Sequence, residues 1–411
     1  MKGYQSLLIV VIFLLCTSEV KAQIVPIGYD TLNRSQEIFL NAGVDFYGTS
    51  VEMDLISKFI KGGEITEDIK DNSFDRHKAV NRLGALAGGE IEYRNYTKKL
   101  FKKKDWGFLV KGGYHIFAGM LYSQDLFGLA FYGNERYMGE TIDISGTDVS
   151  YMAFQKLGFG MIDSKTKSSV SLNVYNVSDR FSGDFRTVKL FQDIGGDEIT
   201  LEMDGEIELK NNKKFNQGIG LGLDLDFKVP VAWGKDRKAF LRFQAQNVGF
   251  AYMYEKQKVY SFDTTITFDG LTFDEIIGDN SLFGDSLSLL DTLGIRSTEK
   301  NRTVMLPGYL QIGKIVDEHY GGKLQSFFGL RLYPSLIYSP YIFAGLDYRP
   351  AKWVRVGANA GYGGFGKFRA GLYTNLTFSN YSLGLASENV LGFFTKKASG
   401  QSLFIRFRCE F

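Results

Sequence analysis

The tightest constraint on this chain is a period of two. From Gln401 to Phe411 it reads QSLFIRFRCEF: Leu403, Ile405, Phe407, Cys409 and Phe411 are apolar and Ser402, Arg406, Arg408 and Glu410 between them polar, with Phe404 alone out of step. Successive side chains of a strand point to opposite faces, so this is a strand with one apolar and one polar face. The pattern recurs upstream. Ile219, Leu221, Leu223, Leu225 and Phe227 alternate with Gly220, Gly222, Asp224 and Asp226, and Leu241, Phe243 and Ala245 with Arg242, Gln244 and Gln246. Val170, Leu172 and Val174 oppose Ser171 and Asn173; Leu324, Phe328, Leu330 and Leu332 oppose Gln325 and Arg331. Ile342, Ala344, Leu346 and Tyr348 oppose Asp347; Val354, Val356, Ala358 and Ala360 oppose Arg355; Ala370, Leu372 and Leu376 oppose Arg369. About fourteen such segments fit along the chain, an even number, as single-chain bacterial barrels have.

The first 22 residues read differently. Lys2 is a basic start, Leu7 to Leu15 a short apolar run, and Val20-Lys21-Ala22 a small-residue exit before Gln23. That is the layout of a secretory signal peptide over residues 1–22, too short for a spanning helix. Cys16 does not mark a lipobox, because Leu15 stands where a small residue is required. Cleavage after Ala22 leaves Cys409 as the sole cysteine, so the exported chain holds no intrachain disulfide. Gln23–Gln36 then forms a leader that could plug a lumen, and residues 37–411 one barrel domain.

Composition excludes other classes. With 47 Gly, 35 Phe and 23 Tyr against 6 Pro, the chain is made for strands and turns. Its mean hydropathy of -0.11 is too polar for a helical membrane protein but suits a barrel, where every second residue meets lipid. A net charge of +2 argues against nucleic acid as a partner. The expected fold is all-β: a transmembrane antiparallel up-and-down β-barrel of about 14 strands with short periplasmic turns, long extracellular loops and both ends periplasmic. A first strand is expected at Leu40–Tyr47, an excursion at Ser50–Ala85 with a helix over Val51–Ile60, and a return strand at Gly89–Thr97 with Glu90, Glu92 and Arg94 on one face. In the next strand Lys111 and His115 point inward. Ser178–Phe215 and Tyr254–Arg302, the latter with an acidic run from Asp274 to Asp291, read as long external loops. A barrel of this size is too wide for its own side chains to fill, so it must hold water, a plug or a ligand path.

Two stretches carry a resemblance. Gln401–Phe411 resembles the closing strand of bacterial outer-membrane barrels, which implies that Phe411, with Phe407 before it, is read by the barrel-assembly machinery and that the strand pairs with the first. Ser123–Met161, through Asp125-Leu126, Leu129, Gly133-Asn134, Gly139, Ile142, Tyr151 and Gly158-Phe159-Gly160, resembles a Bacteroidota outer-membrane barrel family known as domain of unknown function 5723. That family has no assigned activity, so no functional residue carries over. Locally, Asp125–Phe131 suits a short helix and Gly133-Asn134 a turn.

The polar faces bring Arg242, Arg331, Arg355, Arg369, Arg406 and Arg408 inward with Asp224, Asp226, Asp347 and Glu410. Such a set either filters solutes at a charged constriction or pairs across strands to hold the cylinder. Arg355 and Arg369, on adjacent strands, are expected to reach the same part of the lumen. His77, His115 and His319 fall in separate segments, and no HExxH, GxSxG or phosphate loop occurs, so the chain reads as no enzyme, without cofactor or metal. Two classes stay open: a passive channel or uptake barrel for small or hydrophobic solutes, similar to FadL-type carriers, or a docking barrel whose external loops hold a protein partner. Outer-membrane lipid is the surrounding either way.

Overall fold

A computed structural model describes residues 35–98, 105–195, 198–210, 212, 214–232, 238–268, 294–317 and 322–411. The signal peptide, the leader as far as residue 34, His319 and the acidic run from Asp274 to Asp291 lie outside the described residues. The wall begins with β1 (Gln36–Gly48), β2 (Asn81–Asn95), β3 (Trp106–Tyr122), β4 (Thr147–Asp163) and β5 (Ser169–Gln192). Then come β6, in two collinear pieces (Ile199–Lys210 and Gly218–Ala232), β7 (Lys238–Phe268) and β8, also in two pieces (Ile295–Met305 and Tyr309–Ile315). It is completed by β9 (Leu324–Leu332), β10 (Ser339–Ala351), β11 (Val354–Gly364), β12 (Phe368–Phe378), β13 (Tyr381–Ser387) and β14 (Gly400–Glu410). Each strand pairs antiparallel with the next, and β14 returns to β1, from Glu37 opposite Glu410 to Tyr47 opposite Gly400, closing a 14-strand barrel.

Side-chain chemistry shapes the connections. At one end they are tight: the Asn95 carboxamide accepts from the backbone N–H of Thr97 (3.1 Å) and Lys98 (2.9 Å), and the Asp163 carboxylate accepts from Thr166 (2.7 Å), both Asx-type turns. The opposite end carries three short helices, α1 (Met53–Lys61), α2 (Glu67–Phe74) and α3 (Gln124–Tyr132). The Ser123 hydroxyl caps α3 by accepting from Leu126 N–H, and Gly133 takes the positive φ of 75° that stops it. The helices expected near Val51–Ile60 and Asp125–Phe131 are therefore both present, whereas β2 starts eight residues before Gly89.

The largest departure from expectation lies in the segments read as external loops. The described residues of Ser178–Phe215 and Tyr254–Arg302 are mostly strand: β5 and β7 continue outward, and the outer pieces of β6 and β8 pair with them. A tilted strand crosses a bilayer in about 9–11 residues, and β7 runs for 31. The surplus forms a four-stranded arm beyond the rim. Its charges sit opposite one another across strands, Lys210 with Asp179 at 2.7 Å, Arg302 with Glu208 at 2.5 Å and Arg186 with Asp204, which is why composition reads as polar loop there.

Outward side chains of the wall are apolar. Leu403 and Ile405 on β14, Leu383 and Leu385 on β13, Leu372 on β12 and Ile342 and Leu346 on β10 all face away from the lumen. Phe404 is out of step because it points inward, fully buried against Gly43: a Cβ there would lie 2.2 Å from its ring. Phe407 stacks on Tyr381 at 6.0 Å on the outer face. Phe404→Ala removes a buried ring next to the β1–β14 seam, and unfolding in detergent should show a loss of about 3–5 kcal/mol; a change below 1 kcal/mol would mean the seam tolerates the void.

Candidate functional site

The lumen is where the inward faces meet, and toward the turn end it is ionic. Asp224 on β6 accepts from Lys111 Nζ (2.6 Å) on β3 and Lys156 Nζ (3.0 Å) on β4, and Lys156 also meets Glu90 of β2 at 2.6 Å. Asp226 is gripped by Arg242 of β7 through two parallel bonds, Nε at 2.7 Å and Nη2 at 2.8 Å, with Lys228 at 3.2 Å. A bulge sets this geometry: Gln246 and Asn247 together oppose Asp224, Asn247 adopts φ 54°, and its freed N–H donates to Asp224 at 2.7 Å. About 40 Å³ of space remains among these groups.

Every expected lumen charge is inward and engaged. Arg355 meets Asp347 at 2.8 Å, and the Tyr373 hydroxyl donates to the same carboxylate at 2.6 Å. Arg369 bridges Asp45 of β1 (2.9 Å) and Glu388 (3.2 Å) and lies over the rings of Tyr47 and Tyr341. Arg331 donates to Gln311 at 2.8 Å and lies over Tyr309; Arg406 donates to Asn41 at 2.8 Å; Arg408 pairs with Glu410 at 2.9 Å. Arg355 and Arg369 do not share a part of the lumen. In the β11–β12 register Arg355 opposes Asn375 and Arg369 opposes Gly361, placing them at different heights with different acidic partners. The ions pair across strands, and Asp224, Asp226, Arg242 and Arg406 also border one narrow space, which Arg355 and Arg369 do not reach.

Toward the loop end the lumen is aromatic, and of the fillings that its width calls for it holds a plug, made of loops. The wall supplies Tyr47, Phe117, Phe327, Tyr341, Phe343, Tyr373 and Phe404, and two loops fold inward to add three more side chains. The β9–β10 loop brings in Ile337 and Tyr338, and the β11–β12 loop brings in Phe365, which is wholly buried. Phe365 lies 5.0 Å edge-on to Tyr338 and 5.7 Å from Phe117. Its loop, Gly363-Gly364-Phe365-Gly366, turns through positive φ of 109° and 76° at the first two glycines, which only glycine adopts readily. That GGFG run was the available sequence signal for an inward loop. Asp45 and Glu388 were also missed, although Asp45 sits at the inward parity of β1.

One stretch of wall is irregular. Opposite Asn247–Gly249, the β8 strand is broken at Leu306-Pro307-Gly308, and pairing resumes only at Tyr309 opposite Gln246. Pro307 has no N–H to give the ladder. Inside the break a space of about 30 Å³ is lined by Gln246, Pro307, Tyr309 and Tyr333. On the outer face, beginning at Leu310 on the turn side of the break, a groove of about 330 Å³ runs between Leu225, Phe243, Ala245, Leu310 and Leu332.

Over the β1–β3 sector the helices form a cap. Leu55, Phe127 and Tyr122 are buried in it, and His77 stacks on Phe127 at 4.2 Å. His77 Nδ1 bonds the Ser73 carbonyl at 2.6 Å, so that nitrogen carries the proton, and Nε2 accepts from the Tyr122 hydroxyl at 2.9 Å. Burial holds the imidazole below its usual pKa; the Ser73 carbonyl opposes this and Arg76 adds to it. A group whose folded pKa is depressed contributes stability above its unfolded value near 6.5, lost as pH falls toward the folded one. Amide protection in α1 and α2, taken relative to the intrinsic exchange rate at each pH, should therefore fall between pH 7.5 and 5 and should not in His77→Leu. Among the described residues no group of His, Cys, Asp or Glu could hold a metal.

The model of a family of unknown function, DUF5723, matches residues 162–387, more than half of the chain. The match begins just after Met161, so the family is the one that Ser123–Met161 resembles, while those residues lie outside the matched span. No curated protein sequence matches significantly. Among solved structures the chain is similar to the toluene transporter TodX of P. putida (10% identity, 92% of this chain and 91% of that one, TM-score 0.42). It is also similar to the toluene transporter TbuX of Ralstonia pickettii (7%, 92% and 90%, TM-score 0.28) and the transport unit of the autotransporter AIDA-I from Escherichia coli (6%, 97% and 96%, TM-score 0.26).

For the site, breaking one buried pair should expose its dependence on the other partner. Arg242→Gln should cost about 3–5 kcal/mol by stranding Asp226, and adding Asp226→Asn should recover part of that loss. Additive losses in denaturant unfolding would mean the two do not act as a pair.

Proposed function

Since the chain belongs to the DUF5723 family, whose function is unknown, its role has to come from its own geometry, and we propose that it is an outer-membrane barrel that admits small or hydrophobic solutes. Placement in a membrane is supported by the apolar outward band on wall strands and by Trp353 stacked on Phe378 at the turn-end rim, the position of an aromatic girdle. Short turns gather at the end where β1 starts and β14 finishes, which supports a periplasmic place for both. Ile405→Arg should then cost about 2–4 kcal/mol in bilayer folding, and the inward Arg406→Gln clearly less.

The observation that carries the transport reading is the broken wall at Leu306–Gly308, with an aromatic-lined space inside it and an apolar groove beside it on the outer face from Leu310 onward. A solute entering at the loop end would find a lateral neighbour to the lumen that is greasy, where the turn end is ionic. Expressed in an outer membrane deprived of its own uptake barrels, the protein should raise entry of a small apolar solute such as indole. Ala245→Phe, which fills the groove, should cut that rate at least tenfold, and Ala370→Phe on the opposite outer face should leave it unchanged. Equal entry with and without the barrel would sink the proposal. A docking role is favoured by one feature, the arm, where Arg296–Asn301 of β8 lie exposed at its edge; recovery of one stoichiometric partner that is lost when the arm is trimmed would shift the reading there.

A further inference from the structure

Ile337 and Phe365 reach across the lumen. Their loops join β9 to β10 and β11 to β12, yet their side chains rest on β2 and β3, on the far side of the ring. What receives them is a pair of wall glycines. A Cβ on Gly84 would lie 2.2 Å from the Phe365 ring, and one on Gly119 would lie 2.5 Å from Ile337 Cγ2 and 3.2 Å from Phe365 Cε1. Gly84 and Gly119 face each other in the β2–β3 register, so the two form one shallow seat, flanked by Leu86 and Phe117. With Ile337 and Phe365 in place, any side chain at either position would meet them at under 3 Å and hold the loops off the wall.

The loops are tethered at their bases. The Arg82 guanidinium donates to the Leu336 carbonyl at 3.3 Å, the Ser339 hydroxyl donates to the Gly364 carbonyl at 2.9 Å, the Tyr47 hydroxyl donates to the Phe368 carbonyl, Gly363 N–H bonds Lys367 within its own turn, and Arg369 beneath packs against Gly364 and Tyr338. No strand ladder joins either loop to the seat. The wall strands of the barrel, by contrast, are joined to their neighbours by ladders among the described residues, interrupted at Leu306–Gly308 and between the two pieces of β6. The closing contact is therefore van der Waals and detachable, on glycine hinges, while the surrounding wall is fixed by hydrogen bonds.

We propose that the β9–β10 and β11–β12 loops form a movable stopper, closed when Ile337 and Phe365 occupy the Gly84–Gly119 seat and open when they leave it. This rests on the transport reading for its purpose but not for its motion, and the two can be told apart. The chain offers clean disulfide chemistry, since its only described cysteine is Cys409 at the turn end. A Cβ on Gly119 lies 3.6 Å from Ile337 Cβ, within the usual Cβ separation of a disulfide. In a Cys409→Ser background, Gly119→Cys with Ile337→Cys should lock the stopper on oxidation, and Gly84→Cys with Phe365→Cys is the second pair in case the first does not fold.

Oxidation should lower indole entry at least tenfold and dithiothreitol should restore it. Separately, Phe365→Cys alone, buried in the closed form, should react in intact cells with a membrane-impermeant maleimide, more slowly than the exposed Leu336→Cys. No reaction at Phe365→Cys while Leu336→Cys reacts overturns the stopper whatever entry does. Reaction at Phe365→Cys with full entry through the oxidised pairs also overturns it and leaves transport standing. Reaction with no entry in any variant upholds the moving stopper and removes the transport reading.

Discussion

Closure of β14 on β1 is the constraint from which the rest follows. Once the first and last strands pair in register, no wall strand has a free edge and each residue's side is fixed by its parity. Half of the side chains must then share an enclosed interior. Charges placed there leave bulk water, so they persist only with partners at bonding distance, and Asp224, Asp226, Asp347 and Asp45 each have one. The ionic layer is thus a consequence of closure and parity before it is anything functional. Most of these groups have a second partner as well, Lys156 beside Lys111 on Asp224 and Lys228 beside Arg242 on Asp226, so they act as small networks.

Parity was legible in the sequence, and so was most of the wall. The apolar and polar sets assigned to the strands ending at Phe227, Leu332, Tyr348, Leu376 and Phe411 fall on the outer and inner faces as read. Two kinds of information were not in the pattern. Height along the strand is invisible to alternation, so Arg355 and Arg369 looked like neighbours until register separated them. Solvent on both faces also erases the apolar side of the alternation, so the outer halves of β5 to β8 read as loop although they are strand. Their charges are spaced to pair across strands, a signal that becomes visible only once the partner strands are known.

The interior was expected to exceed what the wall's side chains can fill and so to hold water, a plug or a ligand path. Loops supply the plug. Two loops that a sequence reading places outside turn inward, and each brings an apolar group where the wall holds glycine. Glycines in strands weaken the sheet and leave no side chain to pack, so they persist where something else needs the space. Gly84 and Gly119 meet side chains from loops, whereas Gly357 and Gly361 meet Tyr373 and Tyr341 of the adjoining strands. The first kind of contact can part without moving the barrel; the second cannot.

That difference separates the two halves of the lumen. At the turn end, each filling group is a wall residue whose backbone lies in the ladder, and opening a path there would require parting buried ion pairs as well as strands. At the loop end, the filling is partly loop and seated without ladder bonds, so withdrawing it would cost burial of three side chains, Ile337, Tyr338 and Phe365. Fully burying an aliphatic or aromatic side chain is worth about 1.5–3 kcal/mol. Three such contacts put the open form several kcal/mol above the closed one, a minor state that a ligand bound at the same apolar seat would stabilise. The ionic end has no comparable low-cost route, so the detachable filling is confined to the loop end.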